Sequence, residues 1–230
     1  MKKVLQLIFI VIGLTSCKAQ DINGIWMSYN NYVIDKNSMT TSGNEGFIID
    51  FDNKTFSAIY SDSIVPIKID FKNYKLDFKT DSLNIDFRVF GKDSIEIDFE
   101  QNMMHVFRPL ELNHKLAVDK SKISDFLTKN SFEKINGGID FAFSNRPFFR
   151  DEMLEKPNKK NAFINKTRND EGYWYIKEIK HNYFLIFTLD QTSDQNIYQI
   201  ISLDKCKMQL EQLQEADFGN VKITELKTCL

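Results

Sequence analysis

The sequence has few of the residues from which enzyme active sites are most often built. Its 230 residues include three histidines, three cysteines, nine glycines and four prolines. It contains no glycine-rich phosphate loop, no G-x-S-x-G nucleophile motif and no H-E-x-x-H zinc motif. The histidines His105, His114 and His181 have no second His, Cys or Asp at the spacing of metal ligands. We therefore predict that the protein is not an enzyme and needs no metal or cofactor.

An excess of basic charge is also missing. Lys and Arg number 30 against 32 Asp and Glu, so the net charge is −2. Nucleic-acid-binding domains are usually strongly basic, and we therefore predict no nucleic acid partner. With 42% apolar and 27% charged residues, the composition is that of a globular protein. The length suffices for one large domain or two small ones.

What the sequence does contain is a recurring triad of an apolar residue, an aspartate and a phenylalanine. Side chains of a strand alternate between its two faces, so each triad places two apolar side chains on one face and the aspartate on the other. The triads lie too close together for helices between them, which predicts an antiparallel sheet with solvated aspartates outside. The triads are Ile49-Asp50-Phe51, Ile69-Asp70-Phe71, Leu76-Asp77-Phe78, Ile85-Asp86-Phe87, Ile97-Asp98-Phe99 and, further on, Ile139-Asp140-Phe141.

Polar turns divide residues 24–112 into eight predicted strands at roughly ten-residue spacing. An eight-stranded up-and-down meander can close on itself and so remove its exposed edges. The sequence therefore predicts a mainly β fold that begins with a small barrel. The predicted strands are Gly24–Asp35, Phe47–Phe51, Thr55–Tyr60, Ile64–Phe71, Tyr74–Phe78, Leu83–Phe90, Ile95–Phe99 and Met103–Leu110.

Residues 113–230 are predicted to form a second, mainly β unit. Ser121 is a candidate helix cap and Ile123, Phe126 and Leu127 share one helix face, which predicts a short helix over 121–130. Further strands are predicted over 139–143, 162–165, 173–179, 183–189, 197–202 and 221–226. The segment 205–214 suits a strand by alternation and a helix by composition, and we favour the strand.

The N-terminus is predicted to be a targeting segment. Lys2 and Lys3 precede an apolar run over 4–14, which is too short to span a bilayer. The run ends in Leu14-Thr15-Ser16-Cys17, which resembles the lipobox of bacterial lipoproteins. This resemblance implies removal of residues 1–16, acylation of Cys17 with chains such as palmitate, and a lipidated tether over 17–23. The alternative is a secreted protein whose signal peptide is cut near Ala19.

The residue after the lipobox cysteine implies a location. In the enteric sorting pattern an aspartate at that position retains a lipoprotein in the inner membrane, whereas this chain has Lys18. The resemblance therefore implies anchoring in the outer membrane of the cell envelope, on either its periplasmic or its surface face.

Gly24-Ile25-Trp26 opens the first predicted strand and resembles the Gly-x-Trp of lipocalins and lipocalin-like proteins. That resemblance implies a ligand-binding barrel in which Trp26 closes one end and stacks against an arginine of the last strand, here Arg108. The chain departs from the family in two respects. It has no Thr-Asp-Tyr motif, and the 87 residues from Gly24 to Leu110 make a short barrel.

Three further sets of residues are candidate sites. Cys206 and Cys229 remain if Cys17 is acylated, and outside the cytoplasm they are predicted either to pair or to stay separate thiols, with pairing favoured. The segment Arg146-Pro147-Phe148-Phe149-Arg150 has the composition of a contact loop. The alternative, slightly favoured, is that Phe148 and Phe149 plug the end of a barrel. Asp-Ser-aliphatic motifs at Ser63, Ser82 and Ser94 resemble the O-glycosylation signal of some Gram-negative envelope proteins, and these residues are also typical of simple turns.

Two functions remain open at this point. The first is a membrane-anchored, non-catalytic lipoprotein of lipocalin-like type that binds a small apolar ligand or lipid. The alternative is a protein-interaction lipoprotein, either a subunit of an envelope complex or an immunity protein that neutralises a toxin.

Overall fold

The computed structural model describes residues 22–35, 38–42, 46–59, 61–78, 83–90, 93–100, 103–133, 140–147, 161–166, 170–188, 195–213 and 224–228. Across these ranges it contains seventeen strands and one helix. The strands form two antiparallel sheets, one before the helix and one after it. The predicted mainly β class is confirmed.

The first sheet is an eight-stranded closed barrel with one added strand. Strand β1 pairs with β9 along its length and with β3 along its first half, which closes the meander. The predicted barrel is therefore confirmed. The strands are β1 (Ile25–Asp35), β2 (Ser38–Ser42), β3 (Phe47–Asp50), β4 (Thr55–Ala58), β5 (Ile64–Asp70), β6 (Lys75–Phe78), β7 (Leu83–Phe90), β8 (Ser94–Glu100) and β9 (Met103–Pro109).

Strand β2 is the one element of the barrel that the sequence did not predict. It pairs with the second half of β1, on the side where β3 pairs with the first half. Its sequence, Ser-Met-Thr-Thr-Ser, has no apolar alternation to indicate a strand.

The triads are oriented as the alternation predicts. The isoleucines, leucine and phenylalanines of the first five triads belong to one apolar cluster that fills the barrel interior. Phe141 of the sixth triad belongs to the core of the second sheet. The aspartates of the first five triads lie on the outer face, where Asp77 and Asp86 pair at 3.7 Å with Lys68 and Lys75 of the neighbouring strands. Such exposed pairs contribute little stability, so the buried aromatic interior is what holds the barrel together.

Two hairpin turns at one end of the barrel repeat the same construction. In each, the carboxylate of a triad aspartate accepts backbone N–H groups two and three residues later and a side-chain N–H from the asparagine at the third position. The next residue then takes a left-handed backbone, with φ of 55° at Lys54 and 52° at Tyr74. This is turn chemistry typical of Asp and Asn. The paired residues are Asp50 with Asn53 and Asp70 with Asn73.

The second sheet also contains eight strands in sequence order, with the helix packed against it. Most of its predicted strands are present, and the segment predicted over 205–214 contains a strand, β16, rather than a helix. Strand β10 was not predicted. The elements are helix α1 (Lys120–Thr128) and strands β10 (Ser131–Glu133), β11 (Asp140–Pro147), β12 (Asn161–Asn165), β13 (Asp170–Ile179), β14 (Asn182–Phe187), β15 (Asn196–Leu203), β16 (Lys207–Gln212) and β17 (Glu225–Lys227).

The helix begins one residue earlier than predicted and has a different cap. Asp119, not Ser121, is the N-cap, and its carboxylate accepts the backbone N–H of Lys122 at 3.0 Å. The predicted apolar face is confirmed, because Ile123, Phe126 and Leu127 are buried against the second sheet.

The outer wall of the barrel packs against the second sheet. Ile25, Met27 and Ile48 of the barrel form an apolar cluster with Phe184, Ile186 and Ile197 of strands β14 and β15. Strand β14 is consequently buried on both faces, which accounts for its uninterrupted apolar sequence.

The segment that joins the two sheets is held by buried polar side chains. Asn182 donates to the carbonyl of Leu112 at 3.2 Å and accepts the backbone N–H of His114 at 2.9 Å. Gln199 donates to the carbonyl of Glu111 at 3.1 Å. Because both side chains are almost completely buried, these bonds satisfy groups that would otherwise be costly to bury.

Candidate binding site in the barrel

Because the strands alternate in direction, the interior residues divide between two ends of the barrel. We call the end where Gly24, Phe51 and Phe71 lie the tether end, since the chain enters β1 there. We call the opposite end the distal end. The distal aromatic cluster is the group of interior side chains near that end, Phe47, Phe56, Phe78 and Phe99.

The rings of the distal aromatic cluster contact one another across the barrel. Centroids lie 5.3 Å apart for Phe47 with Phe56 and with Phe99, and 5.1 Å apart for Phe56 with Phe78. Phe78 is buried, whereas Phe47, Phe56 and Phe99 are partly exposed. The interior here is filled by side chains, and three of the four residues are partly exposed.

His105 lies among these rings. Its side chain is 2% exposed, and its imidazole centroid is 5.2 Å from those of Phe47 and Phe99. Its Nδ1 is buried without a hydrogen-bond partner. Burial lowers the pKa of His105 to about 4, so the imidazole is neutral at pH 7. A buried polar atom left unsatisfied costs roughly 1–3 kcal/mol.

Two more polar residues of β1 lie close to His105 in the barrel wall. Asn31 is its direct partner in the β1–β9 ladder and is 1% exposed. Ser28 is also fully buried, and its hydroxyl accepts the backbone N–H of Phe47 at 2.8 Å. The distal half of the interior is therefore apolar with a few polar groups on one wall, which is the usual character of small-molecule sites.

Trp26 and Arg108 are not the stacked pair that the lipocalin resemblance implies. Trp26 lies in the interior, where its Nε1 donates to the carbonyl of Asn23 at 2.8 Å. In the ladder its partner is Pro109, whereas Arg108 lies opposite Met27, whose side chain belongs to the outer wall. The Arg108 guanidinium instead lies 4.1 Å from the ring centroid of Tyr29. A one-residue offset places Trp26 and Arg108 on opposite faces of the wall.

The predicted contact loop falls only partly within the described residues. Arg146 is the residue before the end of strand β11, and it forms an ion pair with Glu171 of β13, both partly exposed. Phe148, Phe149 and Arg150 lie outside the described residues, so the contact loop stays a prediction.

Of the other residues predicted to form sites, some lie within the described residues and some outside them. Cys17, Cys229 and Ser82 lie outside the described residues. Cys206 is in the turn before β16, Ser63 is exposed before β5, and Ser94 is partly buried at the start of β8. Lipidation, disulfide pairing and glycosylation all stay predictions.

A polar contact between the barrel and the second sheet was not predicted. The hydroxyl of Tyr175 donates to the carboxylate of Asp62, and the Lys177 ammonium lies 3.3 Å from the same carboxylate. The bond from Tyr175 is the main reason why the pKa of Asp62 is lowered. Burial, and then Asp62, raise the pKa of Tyr175. Asp62 and Tyr175 are 113 residues apart, and no local pattern links them.

The described part of the chain has no group of three or more His, Cys, Asp or Glu side chains that could hold a metal ion. Within the same residues, no helix is long and apolar enough to cross a membrane. Comparison of the chain with protein-family models, curated proteins and solved structures found no match.

Proposed function

We propose that this chain is a non-catalytic envelope lipoprotein, anchored through Cys17, whose barrel binds a small apolar molecule or lipid at its distal end. The observation that carries the proposal is the buried, unpartnered Nδ1 of His105 inside the distal aromatic cluster. A ligand with an apolar body and one hydrogen-bonding group would satisfy that nitrogen and pack against the rings.

Because the rings fill the interior, a ligand enters by displacing them. Phe47, Phe56 and Phe99 are the rings that are only partly buried, so their movement costs less than that of the enclosed Phe78. The ring edges then provide contact area for an aliphatic or aromatic ligand body. The ligand is consequently expected to be slender, comparable with one acyl chain or one aromatic system.

The first experiment asks whether a ligand is present. Protein purified from native membranes is extracted with organic solvent, and the extract is analysed by mass spectrometry for molecules present in stoichiometric amount. The bilayer lipids that surround the anchor are the background, so the same extraction is made on the His105→Phe variant. A molecule that is present in the wild type and depleted in the variant supports the proposal.

The second experiment locates the site with the fluorescent probe N-phenyl-1-naphthylamine, which is apolar and carries one N–H donor. Phe99→Leu and Phe71→Leu are matched variants, because both phenylalanines are partly buried in the interior but at opposite ends. Phe99→Leu should weaken binding several-fold, and Phe71→Leu should leave it unchanged. Equal effects, or no binding by the wild type, would contradict a distal site.

The anchor is tested separately by metabolic labelling with palmitate. The wild type should carry the label, and Cys17→Ala should not. Cys206→Ala is the control and should retain it. Absence of label in the wild type would remove the lipoprotein part of the proposal while leaving the barrel site open.

A further inference from the structure

The tether end of the barrel exposes two aromatic side chains. Tyr74 is 46% exposed in the turn before β6, and Phe90 is 51% exposed on the outer face at the end of β7. Both positions lie at the same end, because β6 starts opposite Asp86 and β7 continues from there towards that end and finishes at Phe90. Large apolar side chains that are exposed at one end of a fold are candidates for an interaction surface.

The predicted anchor connects to the same end. Asn23, which precedes β1 at the tether end, is six residues after Cys17. At about 3.3–3.6 Å per residue, this segment can extend at most about 20 Å. An acylated Cys17 would therefore hold the tether end close to the bilayer surface.

The charges of the turns at this end are not predominantly basic. The first repeated turn carries Asp50 and Asp52 with Lys54, and the second carries Asp70 with Lys72. The carboxylate of Asp70 is already bonded within its own turn, which lowers its pKa. The surface therefore offers no excess positive charge for anionic headgroups, and contact with a membrane must depend on the aromatic side chains.

We propose that the tether end is a membrane-contacting surface on which Tyr74 and Phe90 insert into the headgroup region of the bilayer that anchors the chain. Aromatic side chains favour this region, with tyrosine suited by its polar hydroxyl. The distal end, with His105 and its aromatic cluster, then points away from that bilayer. The inference depends on acylation of Cys17, which belongs to the proposed function.

A depth measurement tests the inference. The lipidated protein, as Phe90→Trp or Ile64→Trp, is reconstituted into phosphatidylcholine vesicles whose acyl chains are brominated. Ile64 is the matched control, because it is 64% exposed but lies at the distal end, where β5 begins. The native tryptophans Trp26 and Trp174 are buried at 4% and 2% exposure and are common to both variants.

We expect the emission maximum of the added tryptophan at position 90 to shift to shorter wavelength in vesicles. The brominated acyl chains should quench at least half of its fluorescence. The tryptophan at position 64 should be unaffected. Adding Tyr74→Ser to Phe90→Trp should reduce the quenching, and replacing a third of the lipid by an anionic one should not increase it.

Other outcomes overturn the inference in distinguishable ways. If the lipidated protein sediments with the vesicles but position 90 is not quenched, the orientation is wrong and the anchor stands. If position 64 is quenched instead, the distal end faces the bilayer. If the protein does not sediment with vesicles at all, the anchor fails and the orientation fails with it.

Discussion

Asn31 and His105 lie directly opposite each other in the β1–β9 ladder, and both are almost completely buried, at 1% and 2% exposure. The neighbouring interior positions of the barrel are almost all apolar. Polar side chains at buried positions usually lower stability unless they are fully hydrogen-bonded. Their presence at the distal end is the feature of the barrel that packing alone does not explain.

Replacing His105 by phenylalanine should stabilise the protein and remove its preference for polar-headed ligands. The substitution eliminates an unsatisfied buried nitrogen and keeps an aromatic ring of similar size, so we expect a gain of about 1–2 kcal/mol. Urea unfolding measures the change. His114→Phe, outside the barrel, is the control and should have little effect. A loss of stability in His105→Phe would mean that the imidazole makes a favourable bond in the native barrel.

The low pKa of His105 predicts a pH dependence of stability. Its pKa is about 4 in the folded protein, against a reference of about 6.5 for an unfolded chain. Between these two pH values the histidine is protonated in the unfolded state and neutral in the folded state. The contribution of His105 to the free energy of unfolding is therefore fully present above about pH 6.5 and is lost as the pH falls towards 4. The full contribution is on the order of 3 kcal/mol.

The measurement is urea unfolding at pH 7.5, 5.5 and 4.5. Other groups also titrate in this interval, and the difference between wild type and His105→Phe isolates the histidine. That difference should grow as the pH falls. A difference that does not change with pH would show that His105 is hydrated or bonded in the folded protein.

Asp62 and Tyr175 should couple the barrel to the second sheet. Removing the Tyr175 hydroxyl with Tyr175→Phe leaves the carboxylate of Asp62 with Lys177 alone, so the expected loss is roughly 1 kcal/mol. A double-mutant cycle with Asp62→Ala and Tyr175→Phe measures the coupling. Tyr74→Phe removes an exposed hydroxyl and serves as the control. Additive effects in the cycle would mean that the contact contributes no stability.

Substitution of Gly46 should destabilise the protein more than its positive φ alone would. Its φ is 61°, and an added Cβ would lie 2.5 Å from Ile59 Cγ2 and 2.6 Å from Ile197 Cδ1 at the junction of the two sheets. Gly24 has a similar φ of 76° with nothing within 4 Å of such an atom. Gly24→Ala should cost about 1 kcal/mol through strain, and Gly46→Ala about 1–3 kcal/mol more through overpacking. Equal losses of stability in the two variants would show that the side chains at the junction rearrange to accommodate the added methyl group.

Cys206 and Cys229 are predicted to form a disulfide in protein isolated from the envelope. Thr228, the residue before Cys229, donates its backbone N–H to the carbonyl of Cys206 at 2.9 Å, which favours the pairing. The bond would close a loop of about 24 residues and stabilise by about 3 kcal/mol. Thiol alkylation without reductant should label neither cysteine. Labelling of both under denaturing, non-reducing conditions would exclude the pair.

The sequence by itself determined the barrel and its inside. In the triads, period-two alternation fixes which face each side chain takes, because adjacent strand residues must point to opposite sides. The same alternation places His105 and Phe107 on one face, so the inward histidine could have been found by reading β9 through to its start. In the sequence, His105 has no second His, Cys or Asp at metal-ligand spacing, so it was not predicted to be a site residue.

The tertiary structure decided what no local pattern encodes. The closure of β1 on β9 sets the ladder register that separates Trp26 from Arg108, pairs Arg108 with Tyr29 and places Asn31 opposite His105. The contact of Asp62 with Tyr175 and the close packing at Gly46 arise only when the second sheet covers the barrel wall. Each of these depends on groups brought together from distant parts of the chain, and their positions follow from the packing of whole sheets rather than from neighbours in sequence.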